Sequence, residues 1–142
     1  MLEEVEFHTG VADRLRFACR LLRKAYRQGA RIVVTAQGDQ LAALDRELWT
    51  FDERDFVPHL RVGEGARAAA ARTPIWLVEG EAPAGAPDIL VNLGAAAPGQ
   101  PGRYRRIIEV VAPDDAEAGR QRWRQYKALG LRIRHHAADG GG

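Results

Sequence analysis

The sequence has little cysteine, no long apolar run and no acidic residue between positions 119 and 138. The only cysteine, Cys19, excludes an internal disulfide framework and a multi-thiolate zinc site. No apolar run approaches the roughly 18 residues of a membrane span. The opening segment, MLEEVEFHTG, is acidic and lacks the apolar core of a secretory signal. We therefore expect a cytoplasmic protein.

Motifs for nucleotide binding and catalysis are also missing. There is no G-x-x-x-x-G-K-[ST] loop, and the GEG at 63–65 follows the second predicted helix instead of opening the first. The segment after the first strand, HTGVAD, has one glycine where a phosphate-binding turn would have several. The four histidines show no metal-binding spacing, and Cys19 lies on the apolar stripe of the first predicted helix. These absences argue against an enzyme, a cofactor and a metal.

Strand and helix patterns alternate along the chain. The β-branched run RIVVTA is typical of a buried strand, and apolar residues at three- and four-residue spacing predict helices on either side of it. Asp39 is the expected N-cap of the second helix. Strands are predicted at 5–8, 31–36, 75–79, 88–93, 104–112 and 131–136, and helices at 15–26, 41–49 and from Asp114 or Asp115 to about Leu129.

This order of elements predicts the fold class. Strand–helix–strand–helix favours an α/β fold, a single three-layer domain with a mostly parallel sheet and helices on both faces. With 142 residues the chain has room for one such domain. We assign it to residues 1–136 and expect residues 137–142 to form a flexible tail.

The last predicted helix carries a concentrated basic charge. The whole chain has a formal charge of only +2, so its six cations between Arg120 and Arg134 leave about −4 on the rest. At 100° per residue, four side chains fall within an arc of about 100°: Arg120, Trp123, Arg124 and Lys127. We call these four residues the cationic ridge. The opposite side is expected to meet the sheet through Ala118, Arg122, Tyr126 and Leu129.

Three interpretations of the cationic ridge are open. Arginine forks around an indole suit a ligand that is both anionic and aromatic. The same residue types would suit the phosphates and stacked bases of single-stranded nucleic acid. The third interpretation is a solvated basic face on which Trp123 packs against the neighbouring strand.

A second segment, LDRELWTFDERDFVPHLRVGEG (44–65), is rich in aromatic and acidic residues. Trp49 ends a predicted helix, and Phe51, Phe56 and Val57 follow within eight residues. One interpretation is a hydrophobic lid over the core. The other is an exposed apolar patch that anchors a partner protein.

At these two stretches the chain resembles the chi subunit family of bacterial DNA polymerase III. The resemblance rests on an ordered set of segments: LDRELWTFDERDFVPH, GEG, DILVNL, EVV and RQRWRQYKALG, with EFHTG near the start. It implies a non-catalytic single α/β domain, with a topology similar to that of nucleotide-binding proteins. It also implies binding of the C-terminal tail of single-stranded DNA-binding protein, an acidic segment that ends in Pro-Phe and a free carboxylate.

By motif position, the family's tail-binding residues correspond to Arg120, Trp123 and Arg124. Family members may carry a further cation one turn earlier, where this chain has Ala116 and Glu117. Lys127 or Arg132 could compensate for that missing charge.

The Trp49 and Phe56 positions correspond to the surface through which the family contacts psi, the subunit that ties it to the clamp loader. The same surface is implicated in binding an iron–sulfur helicase. The leading hypothesis is therefore a replication adaptor, associated with DNA only indirectly. The alternatives are a direct single-stranded nucleic-acid-binding module and a helicase-associated repair adaptor.

Overall fold

The structure of the protein is a computed structural model that describes residues 2–52, 54, 56–63 and 67–138. The strands are β1 (Glu4–Thr9), β2 (Ile32–Ala36), β3 (His59–Arg61), β4 (Ile75–Glu79), β5 (Ile89–Asn92), β6 (Arg106–Val110) and β7 (Arg132–Ala137). The helices are α1 (Arg14–Arg27), α2 (Gly38–Thr50), α3 (Arg67–Ala70) and α4 (Ala116–Ala128). Short 3-10 turns precede β6 and α4.

The seven strands form one sheet in the order β3-β4-β2-β5-β6-β1-β7, and every neighbouring pair is parallel. The predicted parallel α/β fold is therefore confirmed. Central strands of such sheets are covered on both faces and read as continuous apolar runs, and β2 is buried at all five positions. The charged strand β7, predicted at 131–136, lies at the edge of the sheet beside β1, where its charges disfavour pairing with a further strand.

Alternating side chains of the strands point to two separate cores. Val34 packs on the face covered by α1 and α2, together with Leu22 and Leu44. Its neighbour Val33 packs on the opposite face with Tyr126 of α4. The helices therefore lie on both sides of the sheet, which confirms the three-layer arrangement.

The predicted N-cap of α2 was wrong. The helix begins at Gly38 after Gln37, no side chain caps its first turn, and Asp39 lies inside that turn. Asp39 can still favour the helix there through the helix dipole. The tail predicted for 137–142 lies mostly outside the described residues. Ala137 ends β7, and the Ala138 amide donates to the Thr9 carbonyl at 2.9 Å.

Candidate functional site: two exposed tryptophan surfaces

A buried ion pair anchors α4 to the sheet. Glu109 of β6 has no exposed surface, and its carboxylate accepts hydrogen bonds from Arg122 Nε at 2.8 Å and from the Tyr126 hydroxyl at 2.7 Å. Asn92 of β5 donates to the same carboxylate at 3.1 Å. The inward side of α4 predicted from spacing thus holds for Arg122 and Tyr126. Leu129 was placed there wrongly, since it is 63% exposed.

The electrostatics of this anchor explain why it needs every donor. Burial raises the pKa of Glu109, and the Arg122 guanidinium is the largest influence that lowers it again. Burial also raises the pKa of Tyr126, and the negative charge of Glu109 raises it further. The phenol therefore stays a hydrogen-bond donor at neutral pH. The buried Glu109 carboxylate accepts from three donors, two of which, Arg122 and Tyr126, are on α4. These hydrogen bonds therefore fix which side of α4 faces the sheet.

Gly119 allows α4 to approach the segment after β6. A methyl group at this position would lie 2.8 Å from Cγ1 of Val111, closer than side-chain carbons normally come. The glycine is buried although it stands in a helix interior, where it costs about 1 kcal/mol relative to alanine. Gly119, which has no side chain, also lines a groove between α4 and the neighbouring strand ends.

The groove, of about 710 Å³, lies between α4 and the carboxyl ends of β1 and β6, with β7 alongside. Its lining includes Phe7, Pro113, Gly119, Arg120, Trp123, Arg124 and His135. We call it the α4 groove. Trp123 is half-buried, its ring 5.0 Å from that of Phe7 and 5.2 Å, edge to face, from that of His135. Trp123 thus packs against the neighbouring strands, as the third interpretation expects. The same side chain also lines the groove, so a ligand there could still contact it.

Two cations of the ridge stand at the rim of the α4 groove. Arg120 and Arg124 are exposed, and both reach Glu117 on the same helix, at 2.8 and 3.8 Å. The hydrogen bond from Arg120 lowers the pKa of Glu117, and the charge of Arg120 adds to this effect. Glu117 therefore occupies the guanidinium groups that an anionic ligand would use.

Arg120, Trp123 and Arg124 line the α4 groove, but Lys127, the fourth residue of the cationic ridge, does not. Lys127 is exposed on α4. Sequence reasoning also missed two lining residues, Phe7 and His135. They are directly paired in the β1–β7 register, which no local pattern in the sequence reveals.

A second surface is formed by Trp49 and Phe56. Their rings stack at 5.0 Å, and they are 61% and 45% exposed. The His59 ring lies beneath both, edge-on to Trp49 at 5.2 Å. His59 is itself held by its Nδ1–H, which donates to the Val57 carbonyl at 2.8 Å, and by Asp45 at 2.9 Å. We call this the Trp49–Phe56 patch.

The other two residues of the predicted partner surface lie elsewhere. Val57 is 1% exposed and belongs to the core beneath α1 and α2, so the lid interpretation applies to it and it is unavailable to a partner. Phe51 is half-buried under the Arg23 guanidinium, which lies 4.8 Å from the ring centre. The GEG at 63–65 and the acids at 53 and 55 fall wholly or partly outside the described residues.

One hydroxyl–imidazole contact lies in the α4 groove, between Thr9 Oγ1 and His135 Nε2 at 2.6 Å, and no carboxylate among the described residues pairs with that imidazole. Cys19 is buried in the core, and burial raises the pKa of its thiol to about 12, so it is not a thiolate at neutral pH. No group of three or more histidine, cysteine, aspartate or glutamate side chains within the described ranges could hold a metal ion. No helix in the part of the chain that the structure describes is long and apolar enough to cross a membrane. The features that stand out in the described residues are the α4 groove and the Trp49–Phe56 patch.

Comparison with known proteins agrees with this geometry. A family model described as DNA polymerase III chi subunit, HolC, matches residues 2–134, nearly the whole chain. The chain belongs to the DNA polymerase III chi subunit family. Within that family it is similar to the DNA polymerase III subunit chi of Pseudomonas aeruginosa, with 36% identity over 87% of this chain and 85% of that one.

More distant members of the chi family are also similar. Haemophilus influenzae subunit chi is 29% identical over 82% of this chain and 81% of its own. Escherichia coli subunit chi is 25% identical over 81% of this chain and 79% of its own. Membership of the chi family supports an accessory role in DNA replication.

Proposed function

We propose that the protein is a non-catalytic, cytoplasmic adaptor that links the clamp loader of DNA polymerase III to the acidic tail of single-stranded DNA-binding protein. The observation that carries the proposal is the α4 groove, where an aromatic wall stands beside two exposed arginines. A ligand suited to it has a ring at one end and negative charge next to that ring. A tail ending in Pro-Phe and a free carboxylate has both.

The phenylalanine ring would enter the groove beside Trp123, where Phe7 and Pro113 supply apolar contact. The terminal carboxylate would then come within reach of the Arg120 and Arg124 forks at the rim, which can bind it in bidentate fashion. Lys127 lies outside the groove on the same helix and would face the acidic residues upstream of the ring.

Glu117 would set a limit to the affinity. It already holds Arg120 at 2.8 Å, so the carboxylate of the ligand has to displace it. Exposed ion pairs of this kind are weak, and the exchange is therefore feasible. The result is a reversible contact that becomes strong only when several tails are presented together.

The Trp49–Phe56 patch would bind the second partner of the adaptor. Exposed aromatic pairs are the usual anchors of protein interfaces, and this pair is supported from below by His59. The partner would be psi, where the organism has it, or an iron–sulfur helicase. The adaptor would then tether the polymerase to protein-coated single strands, and its association with DNA would be indirect.

Binding of a labelled acidic peptide that ends in Pro-Phe tests the proposal. Arg120→Ala and Arg124→Ala should each weaken binding severalfold. Arg105→Ala is the matched control, since this exposed arginine is paired with Asp88 far from the groove. Equal losses in all three variants would overturn the proposed site.

A further inference from the structure

The first helix is a second basic element. Between Arg14 and Arg27, α1 contains six cations and no acid, although its charge did not stand out in the sequence. Three of these cations pair with acids elsewhere: Arg14 with Asp115, and Arg23 and Arg27 with Asp52. The other three, Arg16, Arg20 and Lys24, are exposed and have no ion pair with any described residue.

The three unpaired cations follow one another at intervals of four residues. On a helix this spacing places them on one side, about 6 Å apart along the axis. Gln28 continues the same line by another four residues. We call Arg16, Arg20 and Lys24 the α1 stripe. An evenly spaced row of single charges is complementary to a polymer that carries one negative charge per unit.

Two residues of the α1 stripe, Arg20 and Lys24, line a groove of about 550 Å³ between α1 and the β6–β1–β7 part of the sheet. The lining contains four cations (Arg20, Lys24, Arg106 and Arg134) and one acid, Glu6. Glu6 is already neutralised, because Arg106 donates to both of its oxygens at 2.9 and 3.0 Å. Arg134 is itself paired with Glu4 at 3.3 Å, so the positive charge of the groove that no acid balances comes from Arg20 and Lys24.

The far wall of this groove carries two parallel imidazole rings. His8 and His136 lie 4.7 Å apart with an angle of 13° between their planes. Burial lowers the pKa of His8, and the neighbouring His136 lowers it further, so an uncharged ring is favoured. Leu21 and Ala25 of α1 add a shallow aliphatic surface. Flat rings beside a row of cations are the combination on which bases stack while phosphates are held.

We propose that this face binds single-stranded nucleic acid, with phosphates along the α1 stripe and a base against His136, whose other ring face is covered by His8. An acidic peptide fits it less well, because no tryptophan, phenylalanine or tyrosine side chain lines the groove as an apolar anchor. The proposal goes beyond the adaptor function, in which contact with DNA is indirect.

The two grooves lie on opposite faces of the sheet and can be filled at the same time. His135 lines the α4 groove, whereas the next residue of β7, His136, lines the groove beside α1. A strand held on one face and a protein tail on the other therefore need not compete.

Fluorescence anisotropy of a labelled oligodeoxythymidine about 20 nucleotides long, read over a series of salt concentrations, tests the proposal. The variant Arg16→Gln/Arg20→Gln/Lys24→Gln removes the α1 stripe without breaking an ion pair, and circular dichroism checks its fold. Its affinity at low salt should fall about tenfold or more. The slope of log affinity against log salt should become about 2 units shallower, since three phosphate contacts contribute about 0.7 each.

The matched control removes the same charge from the other helix: Arg120→Gln/Arg124→Gln/Lys127→Gln. It should keep most of the affinity for the oligonucleotide and lose the acidic peptide. His136→Ala should weaken oligonucleotide binding about fivefold, because it removes a stacking surface.

Three results would overturn the assignment. They are no oligonucleotide binding at low salt, equal losses in the α1 and α4 triple variants, or displacement of the oligonucleotide by the acidic peptide. The last result would mean that the groove beside α1 recognises a protein. The first result would leave the adaptor function untouched, because peptide binding to the α4 groove is measured separately, whereas the other two would also bear on the assignment of the α4 groove.

Discussion

Trp49 and Trp123 are the two tryptophans within reach of solvent, and their surroundings are opposite in kind. Trp123 is half-buried between Phe7 and His135, beside arginines that are already ion-paired. Trp49 is 61% exposed and stacks on Phe56, with the His59 ring edge-on to it. The third tryptophan, Trp76, is buried and donates its indole N–H to the Ala70 carbonyl.

This difference separates two kinds of recognition. A recessed indole with charges at the rim suits a small ligand that has one ring and one charged end. A protruding pair of aromatic rings suits a larger partner that supplies the pocket. The α4 groove also depends on a buried ion pair behind the helix, whereas the Trp49–Phe56 patch is supported by a loop and one histidine. Substitutions should therefore affect the two surfaces differently.

The largest effect is expected where the α4 groove depends on the core. Arg122→Ala leaves Glu109 buried without its cation and should lower the free energy of unfolding by about 3–5 kcal/mol. Peptide binding should fall along with it, because α4 loses its anchor. Urea denaturation measures the loss. Arg124→Ala, on the exposed side of the same helix, is the control and should change stability by less than about 0.5 kcal/mol.

The same variant should respond to pH with a definite sign. Burial already raises the folded-state pKa of Glu109, and loss of the Arg122 charge, which lowers that pKa, should raise it further. A carboxyl group whose pKa is raised by folding is favourable to the folded state when it is protonated. Its stabilising contribution is complete below the pKa of the unfolded state and is lost as pH rises through the pKa of the folded state. The stability gap between the variant and the wild type should therefore narrow as pH falls. A gap that widens would contradict the buried-charge account.

The Trp49–Phe56 patch should show the reverse behaviour. Trp49→Ala or Phe56→Ala should weaken binding to psi or to the helicase by about 2 kcal/mol or more, measured by calorimetry. The fold and the binding of the acidic peptide should be unchanged. If either variant unfolds, the patch is part of the core, as Val57 is.

Gly119→Ala tests whether close packing of α4 shapes the groove. The added methyl group overlaps Val111, which costs about 1–3 kcal/mol, while better helix propensity returns about 1 kcal/mol. We expect a net loss of about 1 kcal/mol in unfolding free energy, together with weaker peptide binding. Ala118→Gly, at the preceding position, measures the effect of helix propensity alone, so that it can be subtracted from the effect of the overlap with Val111. A more stable Gly119→Ala variant would show that the contact relaxes freely.

The smallest effect concerns the internal competitor. Glu117→Gln frees Arg120 and Arg124 and should strengthen peptide binding about threefold near neutral pH. Because the pKa of Glu117 is lowered, its carboxylate stays charged and competes with the peptide for Arg120 and Arg124 until the pH falls below the usual pKa of a glutamate. Unchanged affinity in this variant would mean that the arginines do not contact the peptide.

Much of the fold could be predicted because each long element carries its own pattern. The buried run of β2 and the apolar stripes of α1 and α2 are local signals. Strand β3 has only three residues, and α3 has four, too few for a periodic pattern, so both were missed. Asp39 was assigned as a cap by residue type, but the helix begins one residue earlier and leaves it inside the first turn.

The sites were predictable to a lesser extent. Helical spacing placed Arg120, Trp123 and Arg124 on one side, yet the facing wall comes from Phe7 and His135, which meet only through strand pairing. In the loop after α2 no periodicity tells which side chains turn inward, so Val57 could not be separated from Phe56 by sequence alone. The Arg122–Glu109 pair had no sequence signal, because buried charges are rare and their partners are set by the fold.

One measurement tests the adaptor account most directly. Wild-type protein is titrated by calorimetry with two peptides that differ only in whether the C-terminal phenylalanine after proline carries a free carboxylate or an amide. The account predicts clearly weaker binding of the amide, and weakening of the free acid by salt without its loss, since burial of the ring is insensitive to screening. Equal binding of both peptides, with displacement by a plain oligonucleotide, would show that the α4 groove recognises general negative charge and would contradict the account.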